Sequence, residues 1–282
     1  MFDAFTDRTW LWAAAALYLV GFVQGTVSLL RHGGPGGAAT YGLIAAGYVL
    51  QLIGLGARGR VVGGCPLGNT LELCQFTAWS AITLYLMVGV NFRQSLLGYF
   101  SSCLAAALTL VSLSIPGWDA EIRRHIFGDN PWIELHAALA VFSYGIFALL
   151  ALTSVLFLLR NRSLKQKHFG GWNTFLPSIL DLDHMGVRLL ALGVAILAAS
   201  LAVGSVYWLR DMSTVNLTKL LATVAVWFCY TAVLGLRLRG WLLAQRFAWA
   251  SLTLFLAALL SLGPVDRSRH DVSPTVAETD RR

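Results

Sequence analysis

Trp132, His136, Ser143 and Tyr144 recur at intervals that an α-helix brings onto one face, so an indole, an imidazole and a phenol line up along one stripe. Imidazole is the usual axial ligand of haem iron, and flat aromatic side chains can stack on a porphyrin. The stripe admits two readings. In one, His136 is the metal ligand and Trp132 and Tyr144 form a porphyrin wall, with Trp208 from a later apolar run as a further member. In the other, the same residues are hydrogen-bonded helix packing. A bis-histidine site would need a second imidazole on the same side, and His125 and His270 are the only choices in the chain. His32, at a helix end, and His168 and His184, in a basic loop, read as solvated, and so do His125 and His270 unless one of them is that second ligand.

Glu72, Glu134, Arg188 and Lys219 also lie close to apolar runs. Ionisable groups are costly inside a bilayer and are functional candidates by default. Each of these lies within a turn or two of a run's end, where a long side chain reaches the interface. That bland role suits Glu134 and Lys219, whereas Glu72 and Arg188 suit buried polar contacts that fix helix packing. The four cysteines, at 65, 74, 103 and 229, form no C-x-x-C pair and no zinc spacing, and read as apolar packing residues. The spacing of Cys65 and Cys74 across a helix start argues against a bridge between them. No nucleophile–base pair, HExxH motif or phosphate-cradling glycine loop points to a self-contained enzyme.

The elements that position these residues follow from composition. The 282 residues are 57% hydrophobic and only 12% charged, and the mean hydropathy is +0.66. Soluble domains carry about 25% charged residues. Half that fraction leaves too little polar surface to coat a globule, which excludes a soluble enzyme or a nucleic-acid binder. The net charge of +7 does not imply nucleic acid, because Lys and Arg of membrane proteins collect in cytoplasmic loops against anionic lipid.

Cutting the sequence where charges or Gly/Pro clusters interrupt runs of about 20 apolar residues predicts an all-α, polytopic membrane helix bundle of eight spans. They fall near 10–30, 40–56, 71–90, 96–115, 132–159, 187–208, 217–236 and 243–262. The second, with Gly42, Gly47 and Gly54, carries the weakest signal. Residues 1–265 form one integral membrane domain, and 266–282 read as a polar, disordered tail. The first run lacks a basic n-region and a cleavage site, so it reads as a retained helix. Arg160, Arg162, Lys165 and Lys167, and then Arg237, Arg239 and Arg246, fall in loops on one side, which the positive-inside rule makes cytoplasmic. Both termini and the His136 end of span five then face outward from the cell's inner membrane. Arg58 and Arg60 are a counter-signal, since they fall in a loop assigned to the outside. A solute or metal-ion transporter is disfavoured, because charges cluster at span ends and no internal repeat is evident.

Three stretches resemble the CcsA-type cytochrome c assembly proteins. Pro66, Leu67, Asn69, Glu72, Phe76 and Trp79 keep the spacing of that family's P-L-x-N-x-x-E-x-x-x-F-x-x-W entry to an early span. His136 with Ser143 and Tyr144 is similar to its H-x6-S-Y helix. Asp183, Arg188, Gly193 and Gly204 resemble the acidic-x4-R-x4-G-x10-G opening of the following span, above all in the shorter YpjD-like and HemX-like branch. The resemblance covers Pro66 to Gly263. It implies an inner-membrane protein that handles haem on its outer face, with cytochrome c assembly components or tetrapyrrole-synthesis enzymes as partners. It also implies His136 at the first of the family's outer histidine positions. The tryptophan-rich segment of the full pattern is nearly absent: aligned on Trp227, only Lys219 matches, and Trp208 and Asp211 are out of register. The family's inner histidine falls on Gly235, and the second outer histidine has only His270 as a loose counterpart. The HemX-like relatives show the same losses, and for some of them an association with haem biosynthesis or metal-ion handling is implied. A haem-free membrane regulator or assembly factor is the corresponding alternative, with Arg160 to Lys167 as its docking surface.

Overall fold

The computed structural model describes residues 6–32, 37–89, 96–119, 122, 124, 130–166, 178–208 and 217–267. Among these are eight α-helices: α1 (Asp7–His32), α2 (Gly37–Val62), α3 (Thr70–Gly89), α4 (Leu96–Ser114), α5 (Pro131–Lys165), α6 (Ile179–Trp208), α7 (Leu217–Leu238) and α8 (Ala244–Arg267), with a short 3₁₀ turn at Pro116–Asp119. Five of them, α1, α2, α5, α6 and α7, are long and apolar enough to cross a membrane. A helix satisfies its backbone groups internally, which is why apolar runs of this length take that form in lipid. The protein is a multi-pass helical membrane bundle.

The first four helices pack as one group, with α1 against α2 and α4, and α3 against α2 and α4. The last four form a second group around α5, which contacts α6 and α8, and α3 against α5 joins the two. At that seam Gly145 of α5 faces α3 closely enough that a Cβ would meet the Ser80 side chain and the Thr77 carbonyl. Within the second group the Phe147 ring of α5 stacks on Tyr230 of α7 at 3.9 Å, and Gly193 of α6 gives it room. Of the three glycines that weaken the signal of the second span, Gly42 faces open space and Gly47 and Gly54 are contact positions. A Cβ at Gly47 would lie 2.9 Å from the Tyr18 ring, and one at Gly54 2.8 Å from Leu11. Small residues let membrane helices approach, and here they seat α2 on α1.

A buried hydrogen-bond chain crosses the first group. Tyr18 donates to Gln51 at 2.9 Å, Gln51 donates to the Gln75 side chain at 2.9 Å, and Gln75 donates to Ser112 at 2.9 Å. Bonds of this kind between membrane helices contribute roughly 0.6 kcal/mol each and at most about 1.7. Gln51→Leu severs the chain at its middle and leaves Tyr18 and Gln75 short of partners. The thermal midpoint in detergent is expected to fall by a few degrees, read by tryptophan fluorescence.

Three boundaries lie six to eight residues beyond those drawn at charged residues, and α8 runs to Arg267, so Asp266 and Arg267 of the expected tail are helical. The second helix continues to Val62, so Arg58 and Arg60 are helical and do not lie in a loop. The fifth continues to Lys165, which makes Arg160, Arg162 and Lys165 its last turns. The sixth starts at Ile179, so His184 is an exposed helical residue. Lys167 and His168 lie outside the described residues. Hydropathy falls at the first charge, but the helical hydrogen-bond pattern does not, and a charged side chain at a helix end either reaches water or finds a counter-ion. All four cysteines are free.

Candidate functional site

Eight alternating helices place the starts of α1, α3, α5 and α7 and the ends of α2, α4, α6 and α8 at one side of the bundle. Two polar assemblies form at this end. The first centres on Arg58, whose side chain is 3% exposed. Its Nε donates to Glu72 at 2.8 Å, its Nη1 to Asp7 at 2.9 Å, and its Nη2 to Asp119. Arg8 donates to the other Asp119 oxygen at 2.8 Å and to the Leu113 carbonyl at 3.0 Å. The three carboxylates and two guanidiniums leave one negative charge in excess, and Asn69 adds a hydrogen bond to Asp119 at 3.3 Å. Arg58 therefore ties α1, α2, α3 and the turn after α4 into one unit. It also accounts for the charge on the supposedly outer side, since this arginine is neutralised where it stands.

The loop from Gly63 to Asn69 is shaped by the same residues. Gly63 turns the chain out of α2 at φ +73°, a conformation that favours glycine. Asn69 caps α3, its Oδ1 accepting the Glu72 N–H at 2.9 Å. Glu72 accepts the Gly68 N–H with its second oxygen at 2.6 Å. The Asn69 and Glu72 motif thus builds a helix cap and an ion-pair acceptor, and Glu72 is the buried packing contact its position suggested. Arg188, by contrast, is exposed. Trp79 of the same motif lies beside Tyr48, Phe76 and Phe142, with ring centroids 5.9, 5.3 and 6.2 Å away.

Glu134, in the first turns of α5, accepts the Cys65 N–H and so links this loop to the helix that carries His136. Burial, with Glu134 and Glu72 nearby, pushes the Cys65 thiol up to about 12. At pH 8 the thiolate fraction is then on the order of one in ten thousand, and the thiolate is the reactive form. Iodoacetamide is expected to leave Cys65 largely unmodified at pH 8, and Glu134→Gln to speed its labelling, both read by peptide mass spectrometry.

The second assembly is His136 itself. Asn130 caps α5 by accepting the Trp132 N–H at 3.1 Å, and Pro131 occupies the first helical position. One and a half turns on, His136 Nδ1 lies 2.7 Å from the Ser200 carbonyl of α6. The Ser200 hydroxyl donates to the His136 carbonyl at 2.8 Å and is 3.1 Å from Nδ1. A carbonyl only accepts, so Nδ1 carries a proton, and in the neutral imidazole the lone pair is then on Nε2. Metal-bound histidines are characteristically oriented in this way, with the remote ring nitrogen donating to a carbonyl.

Trp132 is 57% exposed, and Tyr144 is half-buried about two turns deeper than His136, about 12 Å along the helix. The stripe is shared between a surface indole and an interior phenol, and Ser143 turns its hydroxyl onto the Ala140 carbonyl of its own helix. Trp208 ends α6 at the His136 side, and its side chain, like that of Lys219, lies outside the described residues. His125 and His270 lie outside them altogether. No residue-type pattern marks Ser200, Asp7 or Asp119 as site residues, and Arg58 figures in the sequence only as a charge against the assigned orientation. For Ser200 the partner is a backbone carbonyl, which leaves no residue-type signal. For Arg58 the signal was present: under alternating topology Asp7, Glu72 and Asp119 all fall at its end of the bundle.

At the opposite end, Asp183 of the third motif stretch pairs with Arg237 of α7, which also donates to the Leu242 carbonyl at 2.7 Å. Gly193 of that stretch seats Phe147. The three stretches are thus joints of one framework: the loop before α3, the His136 helix, and α6 against both α5 and α7.

The family model for cytochrome C assembly protein matches residues 67–264. The chain belongs to the cytochrome c assembly protein family. It is 27% identical over 217 residues to Protein HemX of Bacillus subtilis, covering 75% of this chain and 78% of that protein. It is 24% identical over 270 residues to Protein HemX of Brevibacillus brevis, covering 93% and 94%. A cytochrome c biogenesis protein CcsA from Chlamydomonas reinhardtii is 24% identical over 213 residues, 71% of this chain and 58% of that protein. The matched segment of this cytochrome c assembly family member contains Glu72, His136, Asp183 and Ser200, and thus His136 together with the serine that orients it.

Proposed function

We propose that this protein handles haem for cytochrome c assembly, on the outer face of the cytoplasmic membrane, with His136 as an axial ligand through Nε2. The observation that carries this reading is the hydrogen bond from His136 Nδ1 to the Ser200 carbonyl, at the end of the bundle where the family's outer histidine falls. The donor chemistry fits haem: the imidazole is held in one tautomer by a backbone group and stands a turn from an exposed indole. Trp132, Tyr144 and Trp208 are the aromatic members of the proposed wall, and His125 or His270 would supply a second ligand. Bound haem would bring a redox-active iron and vinyl groups that can be joined to protein thiols. The chain's own part is to orient the imidazole through Ser200 and to brace the start of α5 through Glu134. With the Asp7 end outward, both termini lie on the outer side of the cytoplasmic membrane, and cytochrome c assembly components are the partners.

The test is the visible spectrum of detergent-purified protein from haem-replete cells, oxidised and reduced. A Soret band with sharpened bands on reduction is expected. A colourless, folded protein would overturn the proposal in favour of a second reading, a haem-free regulator or assembly factor of tetrapyrrole biosynthesis. That reading draws on the match to the HemX proteins, which for Protein HemX of Brevibacillus brevis is near full-length. It predicts that charge reversal at Arg160, Arg162 and Lys165 abolishes activity in cells.

A further inference from the structure

The end of the bundle opposite His136 carries a groove of about 580 Å³ between α5 and α8. Its two walls are graded in the same direction. On α5, Leu158 gives way to Arg162 and Lys165, at spacings that keep all three on one helical face. On α8, Leu252 and Trp249 give way to Gln245, again on one face. Lys165 Nζ donates to Gln245 Oε1 at 3.1 Å, bridging the two walls at their polar end. Trp249 is 52% exposed about one turn below that bridge, where an indole in a membrane protein meets the headgroup zone. The first turn of α8 adds the positive end of its helix dipole and Arg246.

A groove open to the bilayer side of a membrane protein is filled by an amphiphile. This one offers a hydrocarbon floor and two cations at its polar end, with no carboxylate among its lining residues. We infer that it is a binding site for one anionic phospholipid, with an acyl chain along Leu158, Trp249 and Leu252 and the phosphate held by Arg162 and Lys165. The assignment is independent of haem binding and of which side of the membrane this end faces.

The experiment is the thermal midpoint of the full chain in a non-ionic detergent. It is measured with added phosphatidylglycerol, phosphatidylcholine of the same acyl chains, or inorganic phosphate. Phosphatidylglycerol is expected to raise the midpoint by roughly 3 °C or more, and the other two to leave it unchanged. Arg162→Gln/Lys165→Gln is expected to abolish the shift, whereas Arg239→Gln, an exposed arginine outside the groove, retains it. Leu158→Trp, which fills the floor, tests the acyl chain separately and is expected to lose the shift with both cations in place. An equal response to phosphatidylcholine, a response to phosphate alone, or a shift that survives the double substitution would overturn the assignment. Should the double variant not fold, native mass spectrometry of the wild-type and Leu158→Trp proteins decides the matter. Retained phosphatidylglycerol on the first and not the second supports the site, and equal retention refutes it.

Discussion

Arg58→Met is expected to destabilise the protein more than any other single change at the Asp7 end. The substitution leaves Asp7, Glu72 and Asp119 without the guanidinium that all three share, and Glu72 is 1% exposed and Asp119 6%. Removing one partner of a buried ion-pair network costs about 3–5 kcal/mol, because the remaining charge stays desolvated. For a chain of this size that corresponds to a fall of roughly 10 °C in thermal midpoint. Arg58→Lys keeps the charge but presents a single ammonium where the guanidinium reaches three carboxylates, so it should fall between wild type and Met. Arg58→Met/Glu72→Gln removes the most deeply buried of the stranded charges and should recover part of the loss, which distinguishes electrostatics from a packing defect. A midpoint for Arg58→Met within 2 °C or so of wild type would show that the network is not what holds α1, α2 and α3 together.

The eight helices could be read from the sequence because a bilayer leaves few alternatives to an apolar helix about 20 residues long. The ends could not be read as well, and α2 shows why. Hydropathy drops at Gly56 and the arginines that follow, yet the helix runs to Val62 because Arg58 has its counter-ions waiting on other elements. A hydropathy window sees each run alone, whereas the counter-ions lie at sequence separations of 14 to 61 residues. The same holds at the far end, where Arg237 counts toward a basic loop in the sequence but is neutralised by Asp183 in the structure. Glu72 and Arg188 began with the same expectation and parted. Glu72 lies on a helix surrounded by others, with an arginine opposite, whereas Arg188 lies on an outward face of α6. At His136 the residue type and its helix were legible, because imidazoles are rare in apolar runs. Its orienting partner was not, because a main-chain carbonyl is present at every residue, and only the packing of α6 on α5 selects that of Ser200.

The geometry of that pair gives the means to separate a ligand from a packing residue. His136→Asn places an amide N–H close to where Nδ1–H stands, so the bond to the Ser200 carbonyl can be kept, but it removes the Nε2 lone pair. His136→Ala removes both. If His136 ligates haem, the Asn variant should keep a thermal midpoint within about 2 °C of wild type, given that a net hydrogen bond contributes on the order of 1 kcal/mol. Its Soret band should nevertheless be lost, or shifted to that of an iron with an open position. The Ala variant should lose both the band and some stability. In His136→Gly, added imidazole should restore the wild-type spectrum, since a free ligand can occupy the vacated place. A Soret band unchanged in Asn but lost in Ala would show that His136 positions α5 against α6 and that the iron is held elsewhere. The His136 ligand assignment would then fall, while a haem-handling function with another ligand would stand. Ser200→Ala sharpens the distinction. It retains the carbonyl and removes only the hydroxyl that braces the His136 backbone, so it should leave the band in place and lower its occupancy.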